Sequence, residues 1–314
     1  DGRVLCVPQD AADPVGFFNP GTNEFSTVAV PAMGTSTNSW RGAVLAPSGN
    51  VVFIPYAISN VGIFNPISYA FSNIRAGLAS TGTIWFQGGV LAPDGNVVCV
   101  PRDSPNVCVV NPTTFSTSNV LIQGNNTDGF GGGTLVPSGN IVFTPLASAN
   151  IGMFNPTNLT YSNVGPIKST GTAITLEGGC VLAPDGNVIM IPYNSDNVVV
   201  YNPSYVSSPL PPGAFSNVTI GATGGSKFNG GVLTPTGNII CVPYSSDNVG
   251  MFSPSTLTYS NSSPYSSTAV CRRGVLIPDG RIICPVGTAN AIFAIDSLVP
   301  APVEFCLSPY FNKH

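Results

Sequence analysis

Charge is what this chain has least of. Only 8% of its 314 residues are Asp, Glu, Lys or Arg, against about a quarter in an ordinary globular domain. The ten Lys and Arg are scattered and outnumbered by fourteen Asp and Glu, so no cationic stripe exists for a nucleic-acid backbone. Histidine is nearly missing. The single one, His314, is the last residue, which excludes histidine-based triads and multi-histidine metal sites. No apolar run approaches the roughly 18 residues of a membrane span, and the opening residues do not read as a signal peptide. Long helices are disfavoured by 35 Gly and 30 Pro. Disorder is excluded as well, because 43% apolar residues at a net charge of −4 are enough to fill a core.

What the chain does have is a repeat. One copy runs from Gly89 to Pro101 and continues from Asn106 to Pro112. It recurs at Gly42–Pro66, Gly133–Pro156, Cys180–Pro203, Gly231–Pro254 and Gly274–Asp296, and the chain opens part-way through another at Asp1–Pro20. The turn glycines of the seven copies are Gly2, Gly49, Gly95, Gly139, Gly186, Gly237 and Gly280, spaced 47, 46, 44, 47, 51 and 43 residues apart. Each copy parses into four short strands, here A to D. Strand A (Val90 to Ala92) stops at Pro93, and a Pro-Asp-Gly or Pro-Ser-Gly turn follows. Strand B (Asn96 to Val100) is β-branched and ends at Pro101, which removes a ladder donor. Strand C (Val107 to Val110) ends at Asn111-Pro112, and strand D is the variable Phe71-Ser72-Asn73-Ile74 type of segment. Four antiparallel strands at this spacing predict an all-β fold, a seven-bladed β-propeller formed as a single domain over residues 1–314.

Strand A occurs six times and the others seven, so the first blade lacks its innermost strand. Two explanations stand: a segment ahead of Asp1 was removed, or the tail from Leu307 to Phe311 takes the vacant place. The pattern Val-Leu-Ala-Pro-Asp-Gly-Asn-Val (Val90 to Val97) with Asn-Val-Gly-Ile-Phe-Asn-Pro (Asn60 to Pro66) resembles the repeats of YVTN-type and virginiamycin-B-lyase-like β-propellers. That resemblance implies that strand A lies innermost and strand D on the rim. It then places the glycine pairs Gly88-Gly89, Gly132-Gly133, Gly178-Gly179 and Gly230-Gly231 by the central axis, where a missing Cβ lets backbones approach. It also implies a lyase whose activity depends on histidine and a divalent metal, and those residues have no counterpart here.

The eight cysteines fall partly in register. Four residues after the turn glycine stand Cys6, Phe53, Cys99, Phe143, Met190, Cys241 and Cys284. That alternation reads as buried free thiols acting as small hydrophobes. Cys99 differs, because the hairpin places Cys108 directly opposite it. We expect a Cys99–Cys108 disulfide, and with it an oxidising compartment. The pairing of Cys6, Cys180, Cys241, Cys271, Cys284 and Cys306 stays open, including a second bridge that closes the ring near Cys6, Cys284 and Cys306.

Asn125, Asn158, Asn217 and Asn261 head N-glycosylation sequons, which fits an extracellular or surface location. Most acids read as structural: Asp94, Asp185 and Asp279 sit in A–B turns. Asp196 and Asp247 share a B–C loop column and are the weak candidates for a calcium ion. Glu177 stands alone beside a glycine pair, and no paired acid and base can be named. Tyr56, Tyr193 and Tyr244 follow the strand-B proline in three copies, a surface for sugar stacking or protein contact; equally, they pack over loop prolines. We therefore expect no cofactor and no catalysis. The reading is a structural or interaction propeller that self-associates or co-assembles with other subunits, for example in a filament. A secreted lyase or hydrolase propeller and a glycan-binding lectin are the alternatives.

Overall fold

The computed structural model describes residues 2–77, 85–122, 129–166, 176–221, 225–264, 270–286 and 291–297. Seven antiparallel sheets follow one another along the chain, one per repeat. The first contains β1 (Val4–Cys6), β2 (Val15–Asn19) and β3 (Glu24–Val28). The second contains β4 (Trp40–Leu45), β5 (Val51–Pro55), β6 (Asn60–Phe64) and β7 (Phe71–Arg75). β8 (Phe86–Leu91), β9 (Val97–Pro101), β10 (Asn106–Asn111) and β11 (Ser116–Leu121) form the third. The fourth holds β12 (Phe130–Leu135), β13 (Ile141–Pro145), β14 (Ile151–Asn155) and β15 (Thr160–Val164). The fifth holds β16 (Cys180–Leu182), β17 (Val188–Met190), β18 (Asn197–Tyr201) and β19 (Phe215–Thr219). β20 (Phe228–Leu233), β21 (Ile239–Pro243), β22 (Asn248–Ser253) and β23 (Thr258–Pro264) make the sixth. The last contains β24 (Val275–Leu276), β25 (Arg281–Val286) and β26 (Ala291–Asp296). Each sheet is a simple meander. This is the all-β, seven-bladed propeller pattern that the periodicity predicts.

The first sheet has three strands, B to D of its repeat. The seventh shows A to C, and its expected fourth strand falls outside the described residues, as do Cys306 and Leu307 to Phe311. Two compact units divide the chain: residues up to Gly129 with Asn155–Tyr161, and Phe130–Phe154 with Ser162 onward.

Within each unit, neighbouring sheets bury their faces against each other. In the first, Phe17 packs with Trp40, Phe53 and Phe64. In the second, Ile191 and Val200 pack with Phe228, Ile239 and Phe252. A strand enclosed on both faces has no polar side, which is why strand B reads as an unbroken apolar run; β5, β9 and β13 are buried at every position. Strand D has neighbours on one flank only, and β7 and β11 are mostly exposed.

Two sets of glycines set the backbone path. The A–B turn glycines hold φ near +83°, as at Gly49, Gly95 and Gly139, and Asp94 and Asp185 accept the backbone N–H two residues on, those of Asn96 and Asn187, at 3.0 Å. The glycine pairs ahead of strand A do more than admit a close backbone. The ladder skips a residue there in β4, β8, β12 and β20, a bulge that puts Gly42, Gly88 and Gly230 at φ of 81°, 90° and 108°. Close approach is realised too: a Cβ on Gly132 would lie 2.8 Å from the Cα of Gly179.

The expected register of Cys99 and Cys108 is present, the two being direct cross-strand partners. The expected bridge is not. Both are free, fully buried thiols in hydrogen-bond contact. Packing explains why this repeat has a cysteine on strand C at all. In the first and second sheets the strand-C position of Cys108 is Gly16 or Gly62, and a strand-D ring fills the space; a Cβ there would meet Phe25 Cζ at 2.5 Å or Phe71 Cζ at 2.7 Å. In the third sheet that ring is replaced by Thr117, opposite Val110, and the Cys108 side chain occupies the volume. Directly opposed Cβ atoms also stand somewhat beyond the disulfide optimum. Cys271 and Cys284 likewise contact each other as thiols in the last sheet.

Burial pushes the Cys180 and Cys241 thiols up to about 12 and that of Cys6 up to about 11. The unfolded thiols ionise near 9, so above that pH the unfolded chain loses protons that the folded one keeps. Stability is therefore intact below about pH 9 and lost as pH rises toward 12, by about 1.4 kcal/mol per pH unit and per thiol. Urea melts in reductant should show the midpoint falling between pH 8.5 and 11, with a shallower slope in Cys241→Ala. A flat profile would contradict the burial of these thiols.

Candidate functional site

The loops that join strands B and C carry the chemistry that the core does not use. In the second unit, residue 227 is threaded between two of them. The Lys227 backbone N–H donates to the Tyr193 carbonyl at 2.8 Å, and the Tyr244 N–H donates to the Lys227 carbonyl at 2.8 Å. The Lys227 side chain is only 2% exposed, and its Nζ donates to Asp196 Oδ1 at 2.9 Å and to the Ser195 carbonyl at 3.3 Å. A buried ammonium needs such partners. Asn194 Oδ1 accepts the Ser226 N–H at 2.6 Å, closing the same loop onto the segment before β20.

That frame brings two of the expected tyrosines together. The Tyr193 and Tyr244 rings lie edge to face with centroids 5.5 Å apart, a favourable aromatic geometry. Burial raises the pKa of the Tyr193 hydroxyl, the Glu177 carboxylate and Tyr244 push the same way, and a hydrogen bond with Ser226 opposes them. From the segment before β24, the Arg272 guanidinium lies over the Tyr244 ring at 5.6 Å and its Nη2 donates to the Tyr244 hydroxyl at 3.4 Å. Arg273 is anchored by its backbone N–H, which donates to the Asn229 carbonyl at 2.8 Å. The result is an aromatic pair with the Arg272 guanidinium over one ring and Glu177 near enough to the other to act on its hydroxyl.

Tyr56, in the first unit, is not part of such a surface. It is buried, with the Arg41 guanidinium 3.9 Å from its ring centre. Its repeat therefore takes the packing alternative. The neighbouring repeat pairs Arg102 Nη1 with Gln87 Oε1 at 2.6 Å. Arg41, Gln87, Asn229 and Arg272 occupy one column, directly ahead of the strand-A bulge. In the sequence this column stands beside glycines that close backbone packing already explains. Its signal is a polar residue between an apolar residue and a glycine at Arg41, Gln87 and Asn229, with Arg273 in place of the glycine after Arg272.

Of the two calcium candidates, Asp196 pairs its Oδ1 with Lys227 Nζ at 2.9 Å, and among the described residues no group of three His, Cys, Asp or Glu converges. The sequons are exposed where described, at Asn158, Asn217 and Asn261; Asn125 lies outside the described residues. Asn217 and Asn261 belong to a strand-D asparagine column that has a structural use. Asn73 Nδ2 donates to the Ala32 carbonyl at 3.3 Å, and Asn119 Nδ2 donates to the Ala76 carbonyl at 2.9 Å, each clasping the preceding repeat.

No protein-family model matches the chain, and no curated protein matches it. Solved structures do. A catalytically inactive virginiamycin B lyase from Staphylococcus aureus with quinupristin aligns at 10% identity and TM-score 0.72, over 91% of this chain and 92% of that one. The extracellular domain of a one-component system from B. thetaiotaomicron aligns at 12% identity and TM-score 0.67, over 96% of this chain and 40% of that one. Hydrazine synthase of Kuenenia stuttgartiensis aligns at 12% identity and TM-score 0.67, over 95% and 93%. At such identities the likeness concerns architecture, and the proteins sharing it differ in role. By fold, then, this chain is a seven-bladed β-propeller of the kind that virginiamycin B lyases also adopt.

Proposed function

We propose that the chain is a non-catalytic interaction propeller that packs against other subunits in an extracellular or surface assembly. The observation that carries this reading lies in the C–D turns of the first unit. Tyr69, Phe115 and Leu159 hold φ of 58°, 55° and 55°. A side chain with a Cβ costs about 1–2 kcal/mol in that region, and Asn tolerates it best; the first repeat indeed has Asn23 there, at φ 56°. Three successive repeats instead hold a bulky apolar side chain in the strained position, and each stays about 40% exposed. Tyr69 is partly explained by its contact with Phe17. For Phe115 and Leu159, display toward a partner is the physical gain that offsets the strain.

The acids support the same reading, since Asp94, Asp185, Asp196 and Asp279 are engaged in turns or with Lys227. Low overall charge lets neighbouring copies pack without mutual repulsion. The outside location draws support from a similar fold in an extracellular domain. The test is a Phe115→Asn/Leu159→Asn double variant, compared with the unaltered chain by sedimentation and by electron microscopy of native material. Relief of strain should raise the urea midpoint, while concentration-dependent association should be lost. Single particles of the unaltered chain at every concentration, or undiminished association of the variant, would overturn the proposal.

A further inference from the structure

We propose that the outer edge of β11 pairs antiparallel with β11 of a second copy of this chain, about a two-fold axis at Ser118. This rests on the assembly reading above and names its partner and its contact. The last strand of a sheet leaves its outward N–H and C=O groups without a neighbour, and such an edge recruits another chain unless something blocks it. β11 has β10 on one side and no strand on the other. The remaining strand-D edges each carry a block. β3 has Glu24 and β7 has Arg75, and a charge on such an edge discourages pairing. Sequon residues fall within β15 (Thr160), β19 (Asn217) and β23 (Asn261), where an attached glycan would stand in the way. β23 also ends at Pro264, which has no N–H to give. β11 reads Ser-Thr-Ser-Asn-Val-Leu, with no charge, no proline and no sequon residue.

Self-complementarity selects a second copy as the partner. The two large apolar residues that flank β11 are both exposed, Phe115 at 43% and Leu121 at 67%, and they lie equally far from Ser118 along the chain. A two-fold axis at Ser118 sets residue 116 opposite 120 and 117 opposite 119. It also brings Phe115 of each copy opposite Leu121 of the other. Centred on Thr117 the pairing would set Phe115 against Asn119, and centred on Asn119 it would set Leu121 against Thr117. Of these three registers only the one at Ser118 covers both apolar side chains, and it does so twice, as an isologous contact requires. No charged residue lies between Thr113 and Ile122, so nothing repels across the axis.

The edge is also held ready. Thr117 Oγ1 donates to the Arg75 carbonyl at 2.8 Å and Asn119 Nδ2 to the Ala76 carbonyl at 2.9 Å. Both bonds use side chains to tie β11 to the preceding repeat and do not engage its main chain. A strand fixed in this way has little freedom left to lose when it pairs, which lowers the entropic cost of association. Ser116 and Ser118 remain exposed between these anchors, and neither is large enough to keep a second strand at a distance.

Sedimentation of the full chain over a range of concentrations tests this with Ser118→Lys and Ser118→Asp, both at an exposed position. Either variant alone would set two like charges face to face at the axis. Each should lose self-affinity by about tenfold or more, with its urea midpoint unchanged. An equimolar mixture of the two sets lysine against aspartate, so association should return, and added salt should weaken it. Leu121→Asn should weaken self-association without charge, by removing the partner of Phe115. Undiminished self-association of Ser118→Lys and Ser118→Asp would overturn the pairing and leave the assembly reading standing, with another surface or another protein as the contact. A mixture no better than its components would overturn it too, because the two copies would not meet at Ser118. Single particles of the unaltered chain at every concentration would remove both readings together.

Discussion

Gly132→Val is expected to leave little or no folded protein. The contact that forbids it is between two backbones: a Cβ at Gly132 would stand 2.8 Å from the Cα of Gly179, in the segment leading to the next sheet's innermost strand. The neighbouring Gly131 is equally confined, with a Cβ there 2.8 Å from the Cα of Glu177 and 2.9 Å from the Leu176 carbonyl oxygen. Where a side chain is the obstacle, a rotamer change can relieve an overpacked site; here the obstacle is main chain, and relief requires two inner strands to separate. The cost should be roughly 4 kcal/mol or more, at the extreme of single substitutions. Gly139→Ala is the control. It has φ +82° and nothing within 4 Å of the added Cβ, so only the left-handed penalty of about 1–2 kcal/mol applies. Urea melts and soluble yield distinguish the two, and a Gly132→Val variant as stable as Gly139→Ala would refute the close packing of inner strands.

The second large effect concerns how Cys108 came to replace a glycine. If the strand-D ring and the strand-C residue compete for one volume, Gly62→Cys should cost about 2–3 kcal/mol, because its Cβ meets Phe71 Cζ at 2.7 Å. Phe71→Thr should cost a similar amount by emptying the space between Trp40 and Phe53, whose ring centres lie 5.7 and 5.9 Å from that of Phe71. The double variant rebuilds the Cys108–Thr117 combination of the third sheet in the second. It should be more stable than the sum of the single costs predicts by at least about 1 kcal/mol. Strict additivity would mean that the two positions do not share their space, and the explanation offered for a cysteine at position 108 would fall.

These two cases mark where sequence reading succeeds and where it stops. The Pro-Asp-Gly turns, the β-branched strand B and the Asn-Pro stops act locally, and each keeps its conformational meaning wherever it occurs. The register that sets Cys99 opposite Cys108 follows from counting across one hairpin, so it too was legible. The bond state of that pair was not, because it turns on the separation and orientation of the two side chains, which spacing along the chain does not fix. Tyr56, Tyr193 and Tyr244 look alike along the chain. Only their surroundings separate the ring buried under Arg41 from the two that meet at 5.5 Å.

The same division holds for the charged groups. From spacing alone, Asp196 and Asp247 form a plausible pair. In three dimensions a lysine 31 residues away pairs with Asp196. A periodic chain determines its own strand order, turn type and blade number, since those are short-range steric and hydrogen-bonding choices made seven times over. Which side chains converge above the strands is decided by how far each sheet is rotated and packed against the next. That is a long-range property to which many residues contribute weakly, so no single repeat encodes it.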